Sequence, residues 1–181
     1  FGCNSPVSND CTSCNFNWYL YNGTCIRDCA TFGIWNDYFR KTCGECHSAC
    51  RNCTGPNQNE CLVCNPGYYL NGKVCNTTCP AGKFANTDTL TCDNCDNSCL
   101  ECYGSGNSKC TKCKPGSFLH QGKCVSTCPN GYWANSTNRS CEICPTGCSK
   151  CSSLTSCSAC SNGFYLQDNK CNTTCQGATY P

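Results

Sequence analysis

Methionine is absent from the 181 residues, histidine occurs twice, and only 13% of the chain is Asp, Glu, Lys or Arg. Valine, isoleucine and leucine are scarce, and the 39% hydrophobic fraction is swollen by cysteine. A chain this poor in aliphatic side chains cannot close one large core, so many small, stapled units are the expected solution. No stretch approaches the ~18 consecutive apolar residues of a spanning helix, so no membrane insertion is expected within this sequence. The net charge is +2, and the densest basic group is Arg40-Lys41. Nucleic acid, heparin-like polysaccharide and anionic membrane all favour clustered positive charge, and none of them is an expected partner. Glycine-rich phosphate loops are missing, and the glycines of "TGP", "PGY" and "NGK" read as turn residues.

Catalysis has equally little to work with. His47 and His120 occupy different phases of the repeat described below, with no Ser/His/Asp or Cys/His constellation around either. Glu45, Glu60, Glu101 and Glu142 fall beside cysteines, without the pairing that shared proton chemistry requires. The protein is expected not to be an enzyme and to carry no cofactor.

What the chain has is cysteine, 29 residues of 181, well above the level of about 8–10% that marks a disulfide scaffold in a secreted chain. Aligned on cysteine, "CGECHSACRNCTGPNQNECLVCNPGYYLNGKVCNTTCPAGKFANTDTLT" from Cys43 and "CDNCDNSCLECYGSGNSKCTKCKPGSFLHQGKCVSTCPNGYWANSTNRS" from Cys92 are both 49 residues long. A third copy begins at Cys141 and is two residues shorter, because the gap from Cys151 to Cys157 has shrunk. The stretch from Cys3 is the back half of another copy, its Cys3, Cys11, Cys14, Cys25 and Cys29 matching Cys53, Cys61, Cys64, Cys75 and Cys79. Such self-similarity decides the fold before any local reading does. The expected division is a partial repeat at 1–42, full repeats at 43–91 and 92–140, and at 141–181 a repeat lacking its last loop. Because the sequence starts halfway through a repeat, with neither an initiator Met nor a signal peptide, it reads as a window from a longer array or the ordered part of a longer chain.

The repeat is C-x2-C-x3-C-x2-C-x5–7-C-x2-C-x10-C-x3-C followed by a loop of 12 or 13 residues. In this pattern, and above all in "CHSACRNCTGPNQNECLVC" and "CNPGYYLNGKVCNTTCPAGKF", the chain resembles the furin-like, growth-factor-receptor cysteine-rich family over nearly its whole length. That scaffold occurs in receptor ectodomains, secreted convertases, signalling ligands and the cysteine-rich surface coats of protists. Spacing alone leaves many connectivities open. The resemblance implies one: Cys46–Cys53 interlocked with Cys50–Cys61, then Cys64–Cys75 and Cys79–Cys92. Carried along, it gives Cys95–Cys102, Cys99–Cys110, Cys113–Cys124 and Cys128–Cys141, then Cys144–Cys151, Cys148–Cys157 and Cys160–Cys171, with Cys14–Cys25 and Cys29–Cys43 upstream. Under this rule Cys3, Cys11 and Cys175 find partners beyond the window; if the chain stops here, Cys3 and Cys11 pair with each other and Cys175 is left free.

Zinc is the rival use of these sulfurs, since paired C-x2-C units are a strong zinc signal in an intracellular protein. Three features count against it. Four sulfurs in every interval like Cys46 to Cys61 would demand about seven ions, loops such as Cys64 to Cys75 fit bridges better than tetrahedral sites, and the sequence carries glycosylation sequons, which matter only where thiols oxidise. No βαβ pattern surrounds a C-x2-C pair, which removes thioredoxin-like redox chemistry. The sequons lie at Asn22, Asn52, Asn76, Asn135, Asn138 and Asn172. Asn76 and Asn172 share one phase inside "CNTTC", Asn135 and Asn138 are close enough to compete for one glycan, and folding of the knot threatens to bury Asn52.

Between cysteines, "NPGYYLNGKVC", "KPGSFLHQGKC" and "SNGFYLQDNKC" read as an aromatic-Leu strand, a polar turn and a return strand. Tyr19, Tyr69, Phe118 and Tyr165, each followed by Leu, are expected to pack on the neighbouring bridge. A second aromatic follows the last cysteine of a unit at Phe84, Trp133 and Tyr180, with Trp35 shifted by one. No 3.6-residue periodicity supports helix. The fold class expected is a small disulfide-rich one: an elongated rod of tandem repeats of about 49 residues, with short β-hairpins and little helix, each unit touching only its neighbours.

Two functions fit an extracellular, secreted or cell-surface chain of this kind. One is structural: a glycosylated, disulfide-stapled rod forming a surface coat, stalk or filament, with N-linked glycans as its outer layer and further copies of itself as partners. The other is a receptor or secreted ligand module that binds another extracellular protein. Its candidate contact surface is the aromatic-rich first repeat, at Trp18, Tyr19, Tyr21, Phe32, Trp35, Tyr38 and Phe39, where the loop from Cys29 to Cys43 is also the longest. The even charge, the regular period and the sequons favour the structural reading.

Overall fold

The computed structural model of the protein describes residues 2–3 and 10–174. Cys175 and Tyr180 lie outside the described residues. The chain divides into two compact units, Phe1–Asp93 and Asn94–Pro181. In both, the described residues form short strands of two to six residues and no α-helix; the helical elements are the 3₁₀ turns Cys29–Phe32 and Gln58–Glu60. Disulfide-rich hairpins thus recur about every 49 residues.

Each repeat has two parts. The first is a hairpin with two cysteines on each strand: Cys50–Cys53 against Cys61–Cys64, Cys99–Cys102 against Cys110–Cys113, and Cys148–Ser153 against Ser156–Cys160. The second is a four-stranded sheet made of two hairpins side by side. In the first sheet the order is Thr24–Ile26, Tyr19–Tyr21, Thr42–Gly44, Trp35–Asp37. The equivalent sheets use residues 69–94 and 118–143, and the closing hairpin Tyr165–Gln167 with Lys170–Asn172 repeats the first half.

Local chemistry explains why these residues make these elements. The inner hairpins turn in two residues, with Tyr21 opposite Thr24 and His120 opposite Lys123. Such turns need positive φ at both positions, which Asn-Gly and Gln-Gly supply here: 46° and 76° at Asn22 and Gly23, 47° and 79° at Gln121 and Gly122. The outer hairpins turn on an Asx oxygen. Asp37 Oδ1 accepts the backbone N–H groups of Phe39 and Arg40, Asn86 Oδ1 those of Asp88 and Thr89, and Asn135 Oδ1 that of Thr137. A left-handed residue follows each, Lys41, Leu90 or Arg139, with φ of 55–56°. Its carbonyl accepts the N–H of Leu20, Leu70 or Leu119 at 2.8 Å. That bond sets Leu20 beside Thr42, Leu70 beside Thr91 and Leu119 beside Ser140 in parallel, joining the two hairpins. Knot and sheet are joined the same way in every copy: Cys11, Cys61, Cys110 and Cys157 donate to the carbonyls of Gly23, Lys73, Gly122 and Asn169.

The buried residues are almost all cysteines. Ala49, Cys50, Cys53, Cys61, Cys64 and Cys75 form one cluster, with Trp35, Tyr68 and Leu70 packed on it. Cys144, Cys148 and Cys157 form another, under Trp133. Sulfur therefore stands where a richer sequence would place aliphatic side chains.

Trp35 is not out of phase. It stands opposite Gly44 as Trp133 stands opposite Glu142, each beside the residue that follows the closing cysteine. The extra residue of the longer loop lies upstream, in the 3₁₀ turn Cys29–Phe32, which Asp28 caps by accepting from Ala30 N and which Gly33 ends at φ 76°.

Candidate functional site

Fourteen bridges close among the described residues, with Cα–Cα separations of 5.2–5.9 Å. They join Cys14–Cys25, Cys29–Cys43, Cys46–Cys53, Cys50–Cys61, Cys64–Cys75, Cys79–Cys92 and Cys95–Cys102. They also join Cys99–Cys110, Cys113–Cys124, Cys128–Cys141, Cys144–Cys151, Cys148–Cys157 and Cys160–Cys171. Cys3 and Cys11, which the carried-over pairing sent to partners outside the sequence, close on each other. Sulfurs of adjacent bridges crowd together, as at Cys50, Cys61 and Cys75, within 4.8 Å of one another. Metal ligation takes thiolates, and each of these sulfurs is in a bridge.

The aromatic residues of the first repeat separate into two sets. Tyr19 is only 5% exposed, lies edge-on to Tyr38 at 5.6 Å, and has its hydroxyl pKa raised by burial and then by Tyr38. Trp35 packs on the bridge cluster, donates Nε1–H to the Glu45 carbonyl and covers Gly44, where a Cβ would strike the indole ring. Tyr19 is thus buried in the fold, while Trp35 is half-buried, packed on the bridges on one side and walling a hollow on the other. Trp18 is half-buried, with the Arg27 guanidinium 5.0 Å from its ring. Phe32, Tyr38 and Phe39 are 54%, 66% and 100% exposed. Tyr21 tilts against Phe32 at 4.8 Å.

Two shallow hollows of about 260 and 560 Å³ meet at Ala30 and Asn52 on this face, one walled by Tyr38 and Leu62, the other by Phe32 and Val63. Asn52 Oδ1 is buried there without a partner. No sequence signal marked this hollow, because Leu62 and Val63 lie between Cys61 and Cys64 and look like core.

The remaining sequons differ in surroundings. Asn22 is exposed at a hairpin turn. Asn135 and Asn138 both donate Nδ2–H to Glu142 Oε1, at 2.8 and 2.7 Å. Asn76 and Asn172 end return strands, opposite Tyr69 and Tyr165. The two histidines serve locally: His47 Nδ1 accepts the Ala49 N–H, and His120 meets the Tyr132 ring at 4.5 Å.

Disulfides in this density persist only in oxidising compartments, and tandem bridged hairpins of this kind define an extracellular disulfide-rich module. The model of the furin-like, cysteine-rich repeat matches residues 72–141, a segment that holds the bridges from Cys79–Cys92 to Cys128–Cys141. No curated protein matches the chain. No helix among the described residues is long and apolar enough to cross a membrane.

Proposed function

We propose that the chain is part of an extracellular structural protein, a glycosylated, disulfide-stapled repeat array that forms a surface coat, stalk or filament. The observation that supports this most is repetition of the whole scaffold: the same bridges, the same Asx corner and the same knot-to-sheet hydrogen bond recur in successive copies. A chain built this way gains length by adding copies, each of which brings its own bridges and needs no shared core. No catalytic role is part of this reading, and N-linked glycans are its outer layer.

The test is intact mass on protein from its native source, with free thiols alkylated, before and after peptide-N-glycosidase, followed by sedimentation. Loss of glycan mass, few alkylated thiols and concentration-dependent polymers are expected. Many alkylated thiols and no glycan would place the chain in the wrong compartment.

The second reading, a receptor or ligand module, draws support from the exposure of Phe32, Tyr38 and Phe39 around the hollows at Asn52. If it holds, Tyr38→Ala with Phe39→Ala weakens capture of a monomeric extracellular protein and leaves self-association unchanged.

A further inference from the structure

The four inner hairpins carry one position that is filled in two ways. The residue directly across from the strand aromatic is Ile26 opposite Tyr19 and Val125 opposite Phe118, but Asn76 opposite Tyr69 and Asn172 opposite Tyr165. In antiparallel pairs such residues share a face, with Cβ atoms about 4.5–5.5 Å apart, and an aliphatic side chain there covers the ring. Tyr19, across from Ile26 and against Tyr38, is buried, Tyr69 and Phe118 are half-buried, and Tyr165, facing Asn172, is 57% exposed. An asparagine is too short and polar to do what isoleucine does. Yet both asparagines are followed by Thr-Thr, completing sequons, and the two threonines are exposed in both copies. Neither amide has a hydrogen-bond partner in the structure among the described residues, unlike Asn135 and Asn138, whose nitrogens are held by Glu142.

We propose that the first N-acetylglucosamine attached to Asn76 and to Asn172 lies on Tyr69 and Tyr165 and replaces the missing aliphatic side chain. The inference rests on the glycoprotein reading above and gives these two glycans a packing role in addition to shielding. A pyranose suits the position because its hydroxyls ring the edge and its two faces carry C–H groups. Those polarised C–H groups meet the electron-rich face of the ring, while the hydroxyls stay in water. The repeat therefore covers its aromatic either with carbon encoded in the sequence or with carbon added after synthesis.

The test uses the whole chain secreted from a eukaryotic host, with each sequon peptide read by mass spectrometry and glycans trimmed to a single N-acetylglucosamine. Asn76 and Asn172 are expected to be occupied. Asn76→Gln should lower the thermal midpoint by about 2–4 °C, and Asn172→Gln likewise. Asn76→Ile, which copies the first hairpin, should restore the midpoint without a sugar. With Tyr69→Ser in place, Asn76→Gln should cost nothing further, and Asn22→Gln, at a turn facing no ring, should be neutral throughout. Occupied sites whose loss leaves the midpoint unchanged, with or without Tyr69, would overturn the proposal. So would empty Asn76 and Asn172 beside occupied sequons elsewhere, an outcome that leaves the glycoprotein reading standing. Absence of glycan from every sequon would remove that reading and this proposal together.

Discussion

The outer corner of the first repeat and that of the third have the same backbone and opposite surroundings. Trp35, Asp37 and Gly44 in one correspond to Trp133, Asn135 and Glu142 in the other, strand for strand. In the first, the indole lies over a glycine and donates to the Glu45 carbonyl. In the third, the residue in place of Gly44 is Glu142, which holds the amides of Asn135 and Asn138, and the Trp133 indole N–H is buried without a partner. The comparison separates what the repeat holds fixed from what it lets vary. A bridge, an Asx oxygen and a left-handed residue are fixed, because each satisfies a backbone constraint. The side chains facing outward vary, aromatic in one corner and amide-rich in the other.

The largest effect is expected from removing something that both corners share. Replacing Cys64 and Cys75 together by serine opens a bridge whose sulfurs sit in the buried cluster. It should cost about 2–5 kcal/mol, read as lost secretion or a thermal midpoint lower by many degrees. A bridge removed at that site without effect would mean that the side chains around it, and not sulfur, hold the repeat.

Next come changes that attack only the first corner. Gly44→Ala drives a methyl group into the Trp35 ring and should cost about 1–3 kcal/mol. Trp35→Phe should cost about 1 kcal/mol more than Trp133→Phe. The first change gives up a hydrogen bond, while the second removes a buried N–H that has none. Denaturant unfolding of the two single variants measures that difference, and equal costs would show that the two indoles are held alike. Smaller again is the Asx oxygen: Asp37→Ala gives the Phe39 and Arg40 N–H groups over to water and should cost about 0.5–1 kcal/mol. Asp37→Asn keeps the acceptor and should be close to neutral, as Asn86 and Asn135 are in the other corners.

Much of this was legible in the sequence, and the limits have physical causes. Cysteine phase exposed the repeat, and "aromatic-Leu, turn, return to cysteine" gave the inner hairpins, because period-2 strands and turn residues are local signals. Connectivity was not in the spacing and came with the furin-like resemblance. The parallel contact between hairpins went unseen, since it depends on one carbonyl, at Lys41, Leu90 or Arg139, turned by a left-handed φ that three unlike side chains adopt. Aromatic content marked the first repeat as a contact surface but did not separate Phe39, fully exposed, from Tyr19, buried under its neighbours. That distinction depends on Tyr38 folding over one ring and not the other. The alternation of Ile26, Asn76, Val125 and Asn172 was printed in the sequence, but it acquires meaning only when the register places an aromatic ring opposite each.

The smallest expected effect is in the response to acid, and it concerns the corner of the middle repeat. Asp93, which stands where Gly44 and Glu142 stand, accepts from Asn86 Nδ2 and Thr91 Oγ1. Those hydrogen bonds, the one from Asn86 first, hold its carboxyl below the ordinary value. Asp96 is lowered too, by the Ser98 hydroxyl and then by the Ser98 N–H. A carboxylate whose pKa is lower folded than unfolded adds stability above its unfolded pKa and loses it as pH falls through the folded one. Unfolding free energy should therefore be level from neutrality to about pH 5 and decline toward pH 2. Asp93→Asn with Asp96→Asn should flatten that decline. The slope will be modest, because both groups lie where water screens them. In the first repeat Gly44 takes the place of Asp93, so a decline that persists unchanged in the double variant would trace the acid response to other carboxylates and leave the corners alike in this respect.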